Sequence, residues 1–396
     1  MKQIIAIVFG MLMMQSLVSA EQPARWYGAC QMDVSNAAKT SAAGLLVAVI
    51  NVGWNRGEPK RGEIDKAYLA SVKEKIAAFR KYGIEPMLDF GFQYAPKWLG
   101  EIAHARYVNQ YGDAYVPEKI GAESYNAVFN REVRAREELW LKAVFDELGT
   151  DFKWVRLGWG YYGELNFPPA IKKQSNTYWA FDDIAQGKSA GLADGIPPCP
   201  VPGWIPGTSS GDHAKARAFV NWYLDAQKNW HDWQIMTTRK YFKGKLCMLY
   251  PSSALARGEL DSAVATDLNG TSIPERNRKV QMGHDFERFI AGVGDPDLIV
   301  YCTWVDAKSP YYNDASDNPN AWSPLKQLSM FAKRNPNRLG VWGENTGRGD
   351  RAAMELSFQR MRENDMAGII WAFEPDLFSG KYATLEDYAN LIRENR

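Results

Sequence analysis

Short, nearly all-apolar runs recur along the chain, and a longer stretch of mixed polarity follows each of them. Eight such runs occur, at residues 27–32, 45–52, 84–90, 154–159, 246–250, 298–303, 339–342 and 368–373. A run like 45–52 suits a strand covered on both faces, which is the situation of a parallel sheet. The stretches between carry apolar residues at helical spacing. Leu69, Val72, Ile76 and Phe79 line one side of residues 65–82, which end at Gly83. Further helices are predicted over residues 130–148, 214–240, 275–291, 323–334, 350–363 and 385–393, with a short alanine-rich helix after the first run. Eight strand-then-helix units are the pattern of an α/β protein with a single (β/α)8 TIM barrel and long βα loops, filling residues 21–396. A doubly wound open sheet is the alternative. It wants a glycine fingerprint after its first strand, and none follows residues 27–32.

Two segments break the rhythm. Residues 167–212 are rich in Pro, Gly and Ser and read as a long surface excursion, and residues 251–274 read as a second long loop. Loops of that length inside a compact domain are usually functional, so both are expected to line a cleft. The first twenty residues stand apart: Lys2, an apolar stretch over residues 4–17, then Val18-Ser19-Ala20. This is the layout of a signal peptide, too short for a membrane anchor. No later segment is apolar enough to span a bilayer. The mature protein is expected to be exported, periplasmic or extracellular, and soluble.

Composition removes several function classes. With 47 Lys+Arg against 46 Asp+Glu there is no basic surplus for nucleic acid. Cys30, Cys199, Cys247 and Cys302 form no C-x-x-C pair, and none of the four histidines lies at metal-ligand spacing or in a G-x-S-x-G or H-E-x-x-H context. Serine-hydrolase and zinc-peptidase chemistry therefore lack their parts, and neither cofactor nor metal is expected. Cys30, Cys247 and Cys302 fall in predicted strands and are expected to be buried thiols.

Barrel chemistry sits at the C-terminal ends of strands. Two glutamates hold such positions, Glu164 after the fourth run and Glu344 after the seventh; each is preceded by Gly and followed by an Asn within two residues. Glycoside hydrolysis needs two carboxyl groups flanking one bond, one to protonate the leaving oxygen and one to attack or activate water. The competing reading of each glutamate is a helix cap or a rim ion pair. Around them, Arg56 can hold a carboxylate ionised by a charge-assisted bond. Asp89, Gln93, Asn55, Asn166 and Asn345 are candidates for sugar hydroxyls, and Trp54, Trp304 and Trp371 for stacking walls. Glu374, with Asp376, is the rival carboxyl at the eighth strand. The 13% aromatic content suits such a cleft as well as a core.

The run Gly163-Glu164-Leu165-Asn166-Phe167-Pro168 resembles the acid-bearing motif of the β-amylases, glycoside hydrolase family 14, and Gly343-Glu344-Asn345 resembles their second glutamate motif. Residues 51–69, with Trp54, Asn55, Glu58, Pro59 and Gly62, resemble instead the second-strand region of the family 42 β-galactosidases and their clan A relatives, and Trp371 matches a clan A habit. Gly163 stands where clan A usually has Asn, and the run from Asp89 to Tyr94 differs from the β-amylase loop. The resemblance implies a barrel glycosidase acting on an oligosaccharide or polysaccharide. It implies Glu164 as general acid or acid/base, Glu344 as nucleophile or general base, and Tyr301 as a hydrogen-bond partner of Glu344. Clan A likeness implies retention of configuration and a β-galactosidase-like enzyme, the reading favoured here; β-amylase likeness implies inversion. A non-catalytic carbohydrate-binding barrel is the rival from another class, and a polysaccharide lyase would want a basic cluster or a metal.

Overall fold

The computed structural model describes residues 25–172, 174, 176–270 and 274–395, so the predicted signal peptide lies outside the described residues. Eight strands form a closed, all-parallel barrel in sequence order: β1 (Trp26–Ala29), β2 (Val47–Asn51), β3 (Glu85–Asp89), β4 (Trp154–Leu157), β5 (Lys245–Tyr250), β6 (Leu298–Cys302), β7 (Gly340–Glu344) and β8 (Gly368–Trp371), with β8 pairing back onto β1. The expected (β/α)8 barrel is the fold observed. Helices surround it: α1 (Ala37–Ala42), α2 (Trp54–Gly57), α3 (Lys66–Arg80), α4 (Arg131–Leu148), α5 (Ala214–Arg239), α6 (Glu259–Val264), α7 (Pro274–Met282), α8 (Phe286–Ala291), α9 (Pro324–Arg334), α10 (Arg351–Glu363), α11 (Glu374–Ser379) and α12 (Leu385–Glu394). Their starts carry the expected caps. Asp65, Asn130, Ser323 and Asp350 each accept a hydrogen bond from a backbone N–H of the first turn, and Thr384 and Asp387 form a capping box on α12.

Strand alternation divides the side chains into two cores. Ala48, Ile50, Leu88, Val155, Met248 and Val300 point outward, under the helices. Val47, Val49, Met87, Trp154, Leu249, Ile299, Trp342 and Ile370 point inward and fill the barrel. At the base of this plug Trp154 packs against Trp26 with ring centroids 4.9 Å apart, and against Trp342 at 5.0 Å. Two residues further along, on the same inward face, stand Asn51, Asp89, Arg156, Tyr301 and Glu344. The period of two thus delivers a polar layer directly above an apolar plug.

Four predicted elements differ. The second predicted loop, 251–274, contains the short helix α6 (Glu259–Val264). The seventh strand runs on through Gly343 to Glu344, so this glutamate is held by the strand ladder rather than by a loop. The single helix predicted over 275–291 is two, α7 and α8. Gly283 turns at φ +78°, where a Cβ would lie 1.4 Å from the Gln227 side chain, and Asp285 caps the new helix. Residues 167–212 are not a surface excursion. Tyr178, Trp179 and Ala180 are fully buried, and Tyr178 and Phe181 pack against Phe219 of α5 at 5.6 and 5.7 Å. Aromatic residues scattered without periodicity here find their partners on a helix, which local pattern does not reveal. All four cysteines are buried and unpaired. No helix among the described residues is long and apolar enough to cross a membrane.

The tryptophan floor carries a stability prediction. Trp154→Ala leaves a large void beneath the polar layer and should cost about 3–5 kcal/mol in urea unfolding. A loss below about 1 kcal/mol would show that the floor does not support the barrel.

Candidate active site

The C-terminal mouth of the barrel opens into a cavity of about 1480 Å³, larger than the ~300–1,000 Å³ usual for small-molecule pockets. Glu164 and Glu344 both line it, together with Asp89, Gln93, Asn166, Trp304 and Asn345. Glu344 is the last residue of β7, and its carbonyl also accepts Val305 N–H at 3.1 Å. Glu164 follows a tight turn after β4. Gly163 adopts φ +78°, and a Cβ there would come within 3.1 Å of the Gln93 amide. The turn is pinned by Gly160 N–H donating to the Glu164 carbonyl at 2.9 Å and by Leu165 N–H donating to Leu249 of β5 at 2.9 Å. Both glutamates therefore ride on rigid elements from different sides of the mouth.

Their surroundings differ. Glu344 lies against Arg156, whose Nη2 is 3.2 Å from each carboxylate oxygen. Tyr301 donates its hydroxyl to Glu344 Oε2 at 2.9 Å, and the Cys30 thiol lies 3.6 Å from the same oxygen. Burial and the neighbouring Glu344 charge push the Cys30 thiol up, so it stays a protonated donor. Arg156 also reaches Asp89, with Nε 3.8 Å from Oδ2. Asp89 itself accepts Gly91 N–H at 2.8 Å and the Asn51 amide at 3.2 Å. Glu164 has no cation bonded to it among the described residues; Thr303 donates to its Oε1 at 2.7 Å and Asn166 reaches its Oε2 at 3.4 Å. Burial, reinforced by the negative charge of Glu344, raises the Glu164 carboxyl from its ordinary 4.5 to about 7, against the smaller opposing pull of Thr303. One carboxyl is paired with a guanidinium and the other keeps its proton near neutrality.

The site residues expected from sequence separate into two groups. Asp89, Gln93, Asn166, Trp304 and Asn345 reach the cavity, and Tyr301 sits beneath Glu344. Asn345 spends its amide on the backbone of Ala372, accepting from its N–H at 2.6 Å and donating to its carbonyl at 3.2 Å. It braces β8 against β7 with one donor and one acceptor of its amide, which leaves a second N–H and a second lone pair for the cavity that it lines. Trp54 is 1% exposed, donates its indole N–H to Glu58 at 2.7 Å and stacks on Trp140, so it is core and not a cleft wall. Asn55 and Arg56 are exposed outside the cleft, and the Arg56 guanidinium lies over the Tyr68 ring at 4.4 Å. The guanidinium that lies against a strand-end carboxylate is instead that of Arg156, 3.2 Å from Glu344. Trp371 is buried against Tyr388 with ring centroids 5.7 Å apart. Glu374 is buried away from the cleft, where its carboxylate accepts Asp33 N–H at 2.8 Å and the Asn36 amide at 3.2 Å and fastens the loop after β1.

Arg156 is the contributor that the sequence reading missed, and Thr303, at the end of the sixth run, and Cys30, expected as a buried thiol, had no partner assigned at the site. An arginine inside the apolar run at 154–159 is the signal that could have found the first, since an unpaired buried guanidinium is not tolerated. Among the described residues no group of three or more His, Cys, Asp or Glu is arranged to hold a metal ion.

The raised Glu164 carboxyl has a stability consequence. A carboxyl that binds its proton more tightly in the folded chain costs nothing below about 4.5, costs progressively more up to about 7, and carries the full cost above. The full cost is on the order of 3 kcal/mol as an upper bound. Glu164→Gln should therefore match the parent in melting temperature near pH 4.5 and exceed it by several degrees at pH 8. An unchanged difference across that range would mean that Glu164 is not raised.

No family model matches this sequence, and no curated protein matches it. Solved structures do resemble it. The catalytic domain of β-amylase from Paenibacillus polymyxa superposes with a TM-score of 0.65 at 13% identity, over 95% of this chain and 99% of that one. The β-galactosidase of the psychrophilic Marinomonas ef1 gives 0.57 at 11% identity, over 93% of this chain and 59% of that one. The β-galactosidase of Bacillus circulans sp. alkalophilus gives 0.56 at 11%, over 95% and 56%. The chain thus spans the whole β-amylase domain and little more than half of each β-galactosidase. What it shares with all three is the fold, an eight-stranded barrel whose mouth here carries two unlike carboxyl groups.

Proposed function

We propose that the protein is a glycoside hydrolase acting on an oligosaccharide or polysaccharide, with Glu164 as the acid and Glu344 as the nucleophile or base. The observation that carries this reading is the unequal state of two carboxyls in one cleft: Glu164 raised to about 7, Glu344 paired with Arg156. Glycosidic cleavage asks for that inequality, because one carboxyl must arrive with a proton and the other without. The solved structures that share the fold include a β-amylase and β-galactosidases, which supports the reaction class. Export through the N-terminal twenty residues belongs to the same proposal, and an extracellular polymer is a natural substrate for an exported enzyme.

In the retaining, β-galactosidase-like form of the reaction, Glu344 attacks the anomeric carbon while Glu164 gives its proton to the departing oxygen. Water, deprotonated by Glu164, then breaks the glycosyl ester and frees Glu344. Arg156 and Tyr301 hold the Glu344 oxygens on one orientation through both steps, and burial lets Glu164 alternate between acid and base near neutral pH. The inverting form has a specific observation in its favour, the end-to-end match to a β-amylase domain. There Glu344 would deprotonate a water that attacks directly. Proton NMR of the first-formed anomer separates the two: retention predicts the substrate's own configuration before mutarotation, and the opposite anomer would establish inversion.

Substitution tests the assignment itself. Glu344→Gln should lower kcat/KM at least about 10³-fold on every substrate, whereas Glu164→Gln should cost about 10²–10⁴-fold on alkyl glycosides and far less on glycosides with acidic leaving groups. Because the acid must be protonated, activity should fall as pH rises through about 7, and that limb should vanish in Glu164→Gln on activated substrates. Sugar binding that survives in both variants, with no turnover by the parent on any glycoside, would make the protein a carbohydrate-binding barrel.

A further inference from the structure

Beside the acid, one wall of the cleft is built from side chains that neither carboxyl uses. It comprises Tyr94, Ile120, Gly121, Tyr161 and Tyr162, from the loops that follow β3 and β4. Tyr161 packs inward on Tyr115 with ring centroids 6.5 Å apart and stands three residues before the acid, in the same turn. Tyr162 packs on Tyr161 with ring centroids 4.4 Å apart. Yet Tyr162 is 43% exposed and Ile120 is 85% exposed, and both line the cavity.

The backbone makes that exposure costly. Tyr162 sits at φ +57°, ψ +23°, the left-handed region that a bulky side chain rarely enters. Such strain, of order 1–3 kcal/mol, persists where the surroundings impose it, and it gathers at ligand sites. Nothing in the core needs this ring: it covers no buried cluster, and its neighbour Tyr161 already fills the space below. A large ring held at strain, exposed in a cleft and two residues before the acid, is placed to meet a ligand.

We propose that Tyr162, with Ile120 lining the same cleft, forms a stacking platform for a sugar ring on the leaving-group side of the scissile bond. The proposal rests on the glycosidase reading and extends it to an oligomeric substrate. The side is set by position: the acid protonates the departing oxygen, so the departing sugar lies next to the residues that flank Glu164. A pyranose presents an apolar C–H face to which a flat phenol is complementary, while its edge hydroxyls stay in solvent. The volume of the cavity leaves room for more than one ring.

The test compares substrates with and without a departing sugar. Galacto- and malto-oligosaccharides of two to five units are set against the matching glycosyl fluorides, whose leaving group occupies no sugar site. Tyr162→Gly should lower kcat/KM on the oligosaccharide by about tenfold more than on the fluoride, chiefly through KM, and Tyr162→Phe should restore it. Because glycine is at ease at φ +57°, the melting temperature of Tyr162→Gly should hold or rise as activity falls. Equal loss on both substrates would assign the ring to bracing the acid loop and overturn the proposal, as would no loss on either. Should the parent cleave neither substrate, the glycosidase reading fails instead. Calorimetric binding of the oligosaccharide to parent and Tyr162→Gly then decides the platform, weaker binding to the variant upholding it and equal binding refuting it.

Discussion

The contact between Arg156 and Glu344 is the constraint on which the mouth of this barrel depends. A guanidinium two residues above the tryptophan floor has little water around it, so it must have carboxylates within reach. It has two, Glu344 at 3.2 Å and Asp89 at 3.8 Å, delivered by β7 and β3 on the same inward layer. Arg156 still draws the Glu164 carboxyl down, but by less than burial raises it. Glu164 stands in the same cleft with a hydroxyl and an amide for company, and its cheapest state near neutral pH is the protonated one. Two carboxyls of identical chemistry thus have unlike surroundings: a guanidinium bonds one, and burial raises the other.

Much of this was legible in the chain, for reasons that are physical. Strands of a parallel barrel are apolar on both faces and helices between them have a distinct period, so the eight units declare themselves. The two glutamates were legible because a strand end followed by glycine and a carboxylate is a poor place for anything but a rim contact or a site. Arg156 was not, because attention to strand ends favours residues in the following loops, and Arg56 offered the same chemistry four residues into such a loop. The period of two along β4 marks Arg156 as inward, on the same face as Trp154, and an arginine within an apolar run is itself an anomaly that asks for a buried partner.

The aromatic residues show the other limit. Trp54, Trp304 and Trp371 look alike in sequence, yet Trp54 and Trp371 are core and Trp304 lines the cleft. What separates them is tertiary: Trp140 of α4 covers the first and Tyr388 of α12 the second. Glu374 fails as a rival acid for the same reason, since the loop after β1 folds over it and takes its hydrogen bonds. Burial is decided by neighbours distant in sequence, and no local pattern carries it. The reverse case is Tyr162, whose strained backbone and open ring follow from the turn that aims Glu164 and not from any periodicity.

The raised carboxyl of Glu164 can be measured without a substrate. Carbon-13 NMR titration of the glutamate side-chain carboxyls, with Glu164→Gln to assign the signal, reports the protonation of Glu164 directly. A carboxyl resonance titrating near pH 7 in the parent and missing from the variant is the result expected. A Glu164 resonance titrating in the ordinary range, near 4–5, would mean that burial does not hold its proton and would remove the basis for assigning it as the acid.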